Sequence, residues 1–361
     1  MSLQPQATRH IAFLAFVCVI AAGTPGGGGH RGAPPIAGQS VLTAPPVDEN
    51  WPQLIGRVGP YGGINADADA HQMLAAGLSL AVTAGLSSQT AAVLNAGGGR
   101  YIDNRPWSRL YAVCRLQYAV ADLNHQPRSC TLSPADESAI ATQVSADLLR
   151  SEGDPALAGF WVLDDDPHGD VNSVLARIHA LVAASNVRSR INRPTVCGVG
   201  GVLDHKRSPS DASFAPDRQS MVSALRNVSP AGCDLVAPYF YGAASTDDPS
   251  LVDWSLQDLL PFFELAVKGK GYPSPADVLL PLVDAFSYHA PGATSYYVKP
   301  RADDVLAQMH AYCAAGASSV LFFTWRSQDA DTSYANDSDL QSGVQRGRAD
   351  CLQQWRLQRR Q

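Results

Sequence analysis

Apolar positions along this chain fall into two alternating patterns. Short, mostly continuous apolar runs occur at residues 53–58, 78–83, 109–117, 158–163, 194–199, 234–239, 278–283 and 319–324. Between them lie stretches in which apolar residues recur every three or four positions, as Ile140, Val144 and Leu148 do. Continuous runs mark strands covered on both faces, and the longer period marks one face of a helix. Local signals agree. Ser133-Pro134-Ala135-Asp136 combines a cap residue, a proline at the first helical position and an acid three residues on. Val171, Val174, Leu175, Ile178, Leu181 and Val182 share one helical face. Val305, Leu306, Met309 and Cys313 form another such face, which ends at Gly316. Pro261 should kink or split the helix before the seventh strand. Eight strands each followed by a helix predict an α/β chain folded as a single (β/α)8 TIM barrel. In that architecture chemistry gathers where the strands end.

Length and composition fit one domain. The chain has 361 residues, 45% of them hydrophobic and 17% charged, enough for one large core. Residues 1–23 have the features of an export signal: a weakly basic start at Arg9 and His10, an apolar run from Ile11 to Ala22, and small residues for cleavage. A retained membrane anchor is the competing reading, but the run falls short of the roughly 20 apolar residues a spanning helix needs. Residues 24–47, rich in glycine and proline, are expected to form a flexible leader, and residues 48–357 the barrel domain. Cleavage would remove Cys18 and leave six cysteines, an even number suited to an oxidising compartment. Cys114 with Cys130, and Cys313 with Cys351, are the expected pairs; Cys197 and Cys233 are left over and fit buried free thiols. Two glycosylation sequons, at Asn227 and Asn336, suit a secreted chain. With 27 basic against 33 acidic side chains and no basic stripe, a nucleic-acid partner is not expected. The picture is a secreted protein, extracellular or periplasmic, monomeric and free of the membrane once its signal is removed.

The residues that follow the predicted strands carry the candidate chemistry. They supply Arg57 and Tyr61, then Arg115 and Gln117, then Asp164-Asp165-Asp166 with His168. Further along come Tyr239 and Tyr241, then Asp284 and Tyr288, and finally Trp325 and Arg326. Aromatic rings stack on the apolar faces of pyranoses, while carboxylates and guanidiniums bind hydroxyls, so this set suits a carbohydrate. Carboxylates crowded together raise one another's pKa, which can keep one protonated as a general acid. Asp284 is expected across the mouth from the triplet, and a carboxyl pair flanking a scissile bond is the arrangement for glycoside hydrolysis.

Three segments resemble glycoside-hydrolase-like TIM barrels. Residues 159–167, Gly-Phe-Trp-Val-Leu-Asp-Asp-Asp-Pro, are similar to the segment that ends their fourth strand in Asp-Glu-Pro. Ala237-Pro238-Tyr239 resembles their sixth-strand Pro-Tyr element, and residues 316–325 resemble their eighth strand. The resemblance implies that Asp166 is the acid/base and Asp284 the nucleophile or base, with Asp165 tuning Asp166. Both positions hold glutamates in the retaining relatives, and each aspartate here is one methylene shorter. The substrate-binding set would be Arg57, Tyr61, Arg115, Gln117, Tyr239, Tyr241, Tyr288, Trp325 and Arg326, and no cofactor or metal is expected. Two other functions remain open. One is a non-catalytic carbohydrate-binding protein on the same scaffold, since fold does not fix function. The other is a metal-assisted hydrolase using the oxygen-rich stretch from Asp164 to Asp170.

Overall fold

The computed structural model describes residues 51–123, 130–164, 171–199, 232–238, 280–285, 287, 299–314, 316–326 and 332–358. Residues 1–50, with the expected signal and leader, residues 200–231 and the Pro261 region lie outside the described residues. Eight strands form one sheet: β1 (Arg57–Tyr61), β2 (Leu80–Thr83), β3 (Arg100–Asp103), β4 (Leu157–Leu163), β5 (Thr195–Val199), β6 (Leu235–Pro238), β7 (Leu282–Asp284) and β8 (Ser319–Phe323). Their order is β6-β5-β4-β3-β2-β1-β8-β7, and every pair is parallel. The Leu280 N–H donates to the Val236 carbonyl at 2.8 Å, linking the two ends of that order. The result is the expected (β/α)8 barrel. Its described helices are α1 (Asp67–Ala75), α2 (Ser88–Ala96), α3 (Arg105–Leu123), α4 (Pro134–Ser151), α5 (Asn172–Ser189), α6 (Ala302–Ala314) and α7 (Ser338–Gln358).

Two apolar layers hold these elements. Inside the barrel, Leu80, Val82, Ile102, Trp161, Val196 and Leu321 pack on one another, and Leu54 closes the base. The opposite faces of the same strands pack on the helices through residues such as Val58, Phe160, Val162, Val320 and Phe322. Period-two alternation between the layers is why a parallel strand can be apolar throughout. At the start of α4, Ser133 accepts from the Asp136 N–H at 3.2 Å, and Asp136 accepts from the Ser133 N–H at 3.0 Å. The Ser133 hydroxyl also donates to the Asp136 carboxylate, at 2.7 Å, and this bond, together with that from the Ser133 N–H, lowers the Asp136 pKa.

Two strand assignments made from sequence are corrected. The third strand is Arg100–Asp103, whereas residues 109–117 lie within helix α3. Leu110 and Cys114 are buried four residues apart while Leu116 is 72% exposed, a helical rather than a strand pattern. The true strand is only four residues long and follows three glycines, Gly97 to Gly99, which disguise it. Strand β1 begins at Arg57 rather than ending beside it. The apolar pair Leu54-Ile55 that suggested a strand belongs instead to the turn below the barrel. The cysteine assignment is also corrected. Cys114–Cys130 and Cys313–Cys351 are bridged as expected, with Cα atoms 5.1 and 5.4 Å apart, but Cys197 and Cys233 are also bridged, at 5.7 Å. Parallel pairing of β5 with β6 sets Cys197 opposite Val236, and Cys233, two residues before β6, is near enough to bridge to it.

Candidate active site

The described part of the barrel mouth is built from β1, β4, β5 and β8. Tyr61 is the last residue of β1, and its ring meets Trp161 of β4 edge-on, with centroids 5.0 Å apart at 63°. Phe323, the last residue of β8, lies 5.9 Å from the Tyr61 ring. The Tyr61 hydroxyl donates to the carboxylate of Asp164, the residue that follows β4. Gly198 of β5 makes room for this group. A Cβ atom there would come within 2.5 Å of Trp161 Cζ2 and 2.9 Å of Asp164 Oδ1. Three half-buried or buried rings and one carboxylate therefore converge at the C-terminal ends of the strands, where the barrel architecture concentrates chemistry. Asp284 is the last residue of β7, and its Cα is paired with that of Phe323.

The structure brings only part of the expected set together. Tyr61 is in the mouth. Asp165, Asp166, Tyr239, Tyr241 and Tyr288 lie outside the described residues. Arg57 is at the opposite end of the barrel: it is the first residue of β1, and it donates to the carbonyls of Ser79 (3.0 Å), Gly98 (2.8 Å) and Gln53. Burial, helped by Arg100, pushes its pKa down to about 10, so it is a desolvated structural cation joining strand starts. Arg115 and Gln117 lie on α3, where Gln117 exchanges two hydrogen bonds with the Thr131 backbone at 2.7 and 2.8 Å. They moved from the mouth because their segment is helix rather than strand.

Trp325 is buried in the outer layer, not in the mouth. Its indole donates to Asp69 of α1 at 3.3 Å and stacks on Tyr334 at 5.1 Å. Arg326 is exposed and donates to Gln72 at 3.2 Å, with Asp69 3.5 Å away. Both side chains anchor the end of β8 to α1. The sequence reading missed Trp161, Phe323 and Gly198 as parts of the mouth. Trp161 and Phe323 were legible only as strand residues, because which face each presents depends on register.

Among the described residues, no group of three His, Cys, Asp or Glu side chains is placed to hold a metal ion. Among the same residues, no helix is long and apolar enough to cross a membrane.

No protein-family model matches the chain, and no curated protein matches it. Solved structures do. A beta-galactosidase from the psychrophilic Marinomonas ef1 aligns at a TM-score of 0.49 and 11% identity, over 81% of this chain and 59% of that one. A beta-glucuronidase from Ruminococcus gnavus aligns at 0.46 and 8%, over 84% and 49%. A beta-galactosidase from G. stearothermophilus aligns at 0.47 and 14%, over 84% and 57%. The chain thus spans between 49% and 59% of the length of these structures.

Proposed function

We propose that this chain is a secreted glycoside hydrolase-like protein that cleaves an O-glycosidic bond with two carboxyl groups at the barrel mouth. The observation that carries the reading is the convergence of Tyr61, Trp161, Phe323 and Asp164 at the strand ends, a cluster of aromatic rings beside a carboxylate. Asp166 follows that edge by two residues and donates a proton to the leaving oxygen. Asp284, ending β7 beside β8, attacks the anomeric carbon or activates a water from the other side. Asp165 orients Asp166, and Tyr239, Tyr241 and Tyr288 hold the sugar. Three disulfides are consistent with an oxidising compartment and with export.

The test is a polysaccharide panel with product analysis, run on the mature protein and on Asp166→Asn and Asp284→Asn. Each substitution should reduce turnover at least about a hundredfold, the usual weight of a lost acid–base group, while substrate binding survives. Undiminished turnover by both variants would refute the assignment. Binding without turnover in the parent would favour a carbohydrate-binding protein, and turnover abolished by EDTA a metal-assisted hydrolase.

A further inference from the structure

One ring at the mouth belongs to no strand. Trp107 is the third residue of α3, the helix that begins just past the C-terminal end of β3. It packs on the inner layer of the barrel as well as on the outer one. The strands wall off the inner layer, so a residue beyond the end of β3 reaches it only across the mouth. Tyr61 and Phe323 meet the same layer from β1 and β8. Trp107 is therefore a further ring of the mouth, standing on its β3 side.

Unlike Trp161, this ring is reachable. Trp107 is only partly buried. Its Nε1 makes no hydrogen bond among the described residues and is not one of the buried polar atoms left unpaired there, so it meets solvent. Tyr111, one helical turn on, is 40% exposed, and its ring lies 5.3 Å from the indole at a tilt of 35°. Residues four apart share a helix face. Ser108 and Ala112 beside them are exposed and small, so the helix itself puts nothing over the rings. The pair makes one aromatic step leading outward from the mouth.

The step is also held in place. Arg105, two residues before Trp107, donates from Nε to both oxygens of the buried Asp103 carboxylate, at 3.0 and 2.8 Å. Arg109, two residues after it, donates to both oxygens of Asp147 on α4, at 2.9 and 3.3 Å. The first turns of α3 are thus clamped to a strand end and to the next helix, which spares a ligand the cost of ordering them.

We propose that Trp107 and Tyr111 form an outer subsite that takes one pyranose ring of an oligosaccharide whose adjoining rings occupy the mouth. A pyranose presents apolar C–H faces to an aromatic surface and hydroxyls at its edge. The indole N–H and the phenol O–H, each at the polar tip of an apolar ring, can bond those hydroxyls. Arg115, a further turn along the same face and exposed, adds donors at the outer end. The inference deepens the hydrolase reading and rests on the mouth taking a saccharide, but needs neither Asp166 nor Asp284 to be catalytic.

The experiment measures binding to the full chain by calorimetry. The probes are cellohexaose, maltohexaose, mannohexaose, xylohexaose and laminarihexaose, each beside its disaccharide. The parent should bind at least one hexaose more tightly than the matching disaccharide, which is too short to fill both the mouth and the step. Tyr111→Ala and Trp107→Ala should each shrink that preference about three- to tenfold, the weight of one aromatic contact. Trp107→Phe keeps a ring and should retain more of the preference than Trp107→Ala. Loss of packing alone would weaken long and short chains alike and leave the preference unchanged. Thermal melting identifies any variant that has not folded, and Tyr111→Ala, at an exposed position, decides if Trp107→Ala does not. Three results would overturn the proposal: no hexaose bound by the parent, no preference for the longer chain, or a preference undiminished in the folded variants. A preference that behaves as expected, without any turnover, would count against the hydrolase reading and leave the subsite standing. Turnover without the preference would do the reverse.

Discussion

Asp234 shows how much one side chain can organise at the base of the barrel. Its Oδ2 accepts from the Thr195 N–H at 2.8 Å and from the Thr195 hydroxyl at 3.0 Å, while Oδ1 meets His179 Nε2 at 3.1 Å. The hydrogen bond to Asp234 raises the His179 pKa above 6.5, and burial opposes the rise without cancelling it. A pKa raised on folding stabilises the fold fully below the unfolded value and loses that contribution as pH climbs through the folded value. Stability should therefore fall as pH rises from 6.5 through the raised pKa, and the His179→Gln variant should lack that part of the fall. Chemical denaturation across pH, parent against variant, reads it directly; superimposable profiles would refute the pairing. Neither residue drew notice in the sequence, because a histidine on a helix and an aspartate before a strand are each unremarkable alone. Asp164 is the reverse case. Its position at a strand end was legible, whereas the hydroxyl of Tyr61, 103 residues away, was not.

At the scale of elements, α6 and α7 illustrate what periodicity reveals and what it hides. The buried face of α6 was legible from its spacing, and so was the Cys313–Cys351 bridge to α7. Their close approach was not. Gly343 and Gly347 stand four apart on α7, and a Cβ at either would press on α6: 2.9 Å from Val305 Cβ in one case, 2.9 Å from Met309 Cβ in the other. Glycine inside a helix costs about 1 kcal/mol against alanine, so two on one face point to tight packing. Gly347→Val should destabilise the protein by about 1–3 kcal/mol through overpacking. Its urea midpoint should drop accordingly, and an unchanged midpoint would show that α7 can shift outward freely. Strand β3 was the element most thoroughly hidden, since four residues carry too little pattern to compete with the apolar helix that follows.

For the molecule as a whole, ring closure and cross-links act on the same long stretches of chain. Cys197–Cys233 joins β5 to the entry of β6 and closes a sequence separation of 36, against 16 for Cys114–Cys130. In the chain-entropy model the longer loop is worth about 4 kcal/mol and the shorter about 3. The double variant Cys197→Ala/Cys233→Ala should therefore lower Tm more than Cys114→Ala/Cys130→Ala; the opposite order would show that the intervening residues gain little from being tied. The sequence by itself determined the alternation of strands and helices, hence the barrel, and the strand-end location of Asp164, because both are local properties of spacing. Tertiary structure alone decided which of those residues meet. Moving a strand by one residue turns every side chain to the other layer, so only pairing and closure could put Tyr61, Trp161 and Asp164 together and send Arg57 and Trp325 elsewhere.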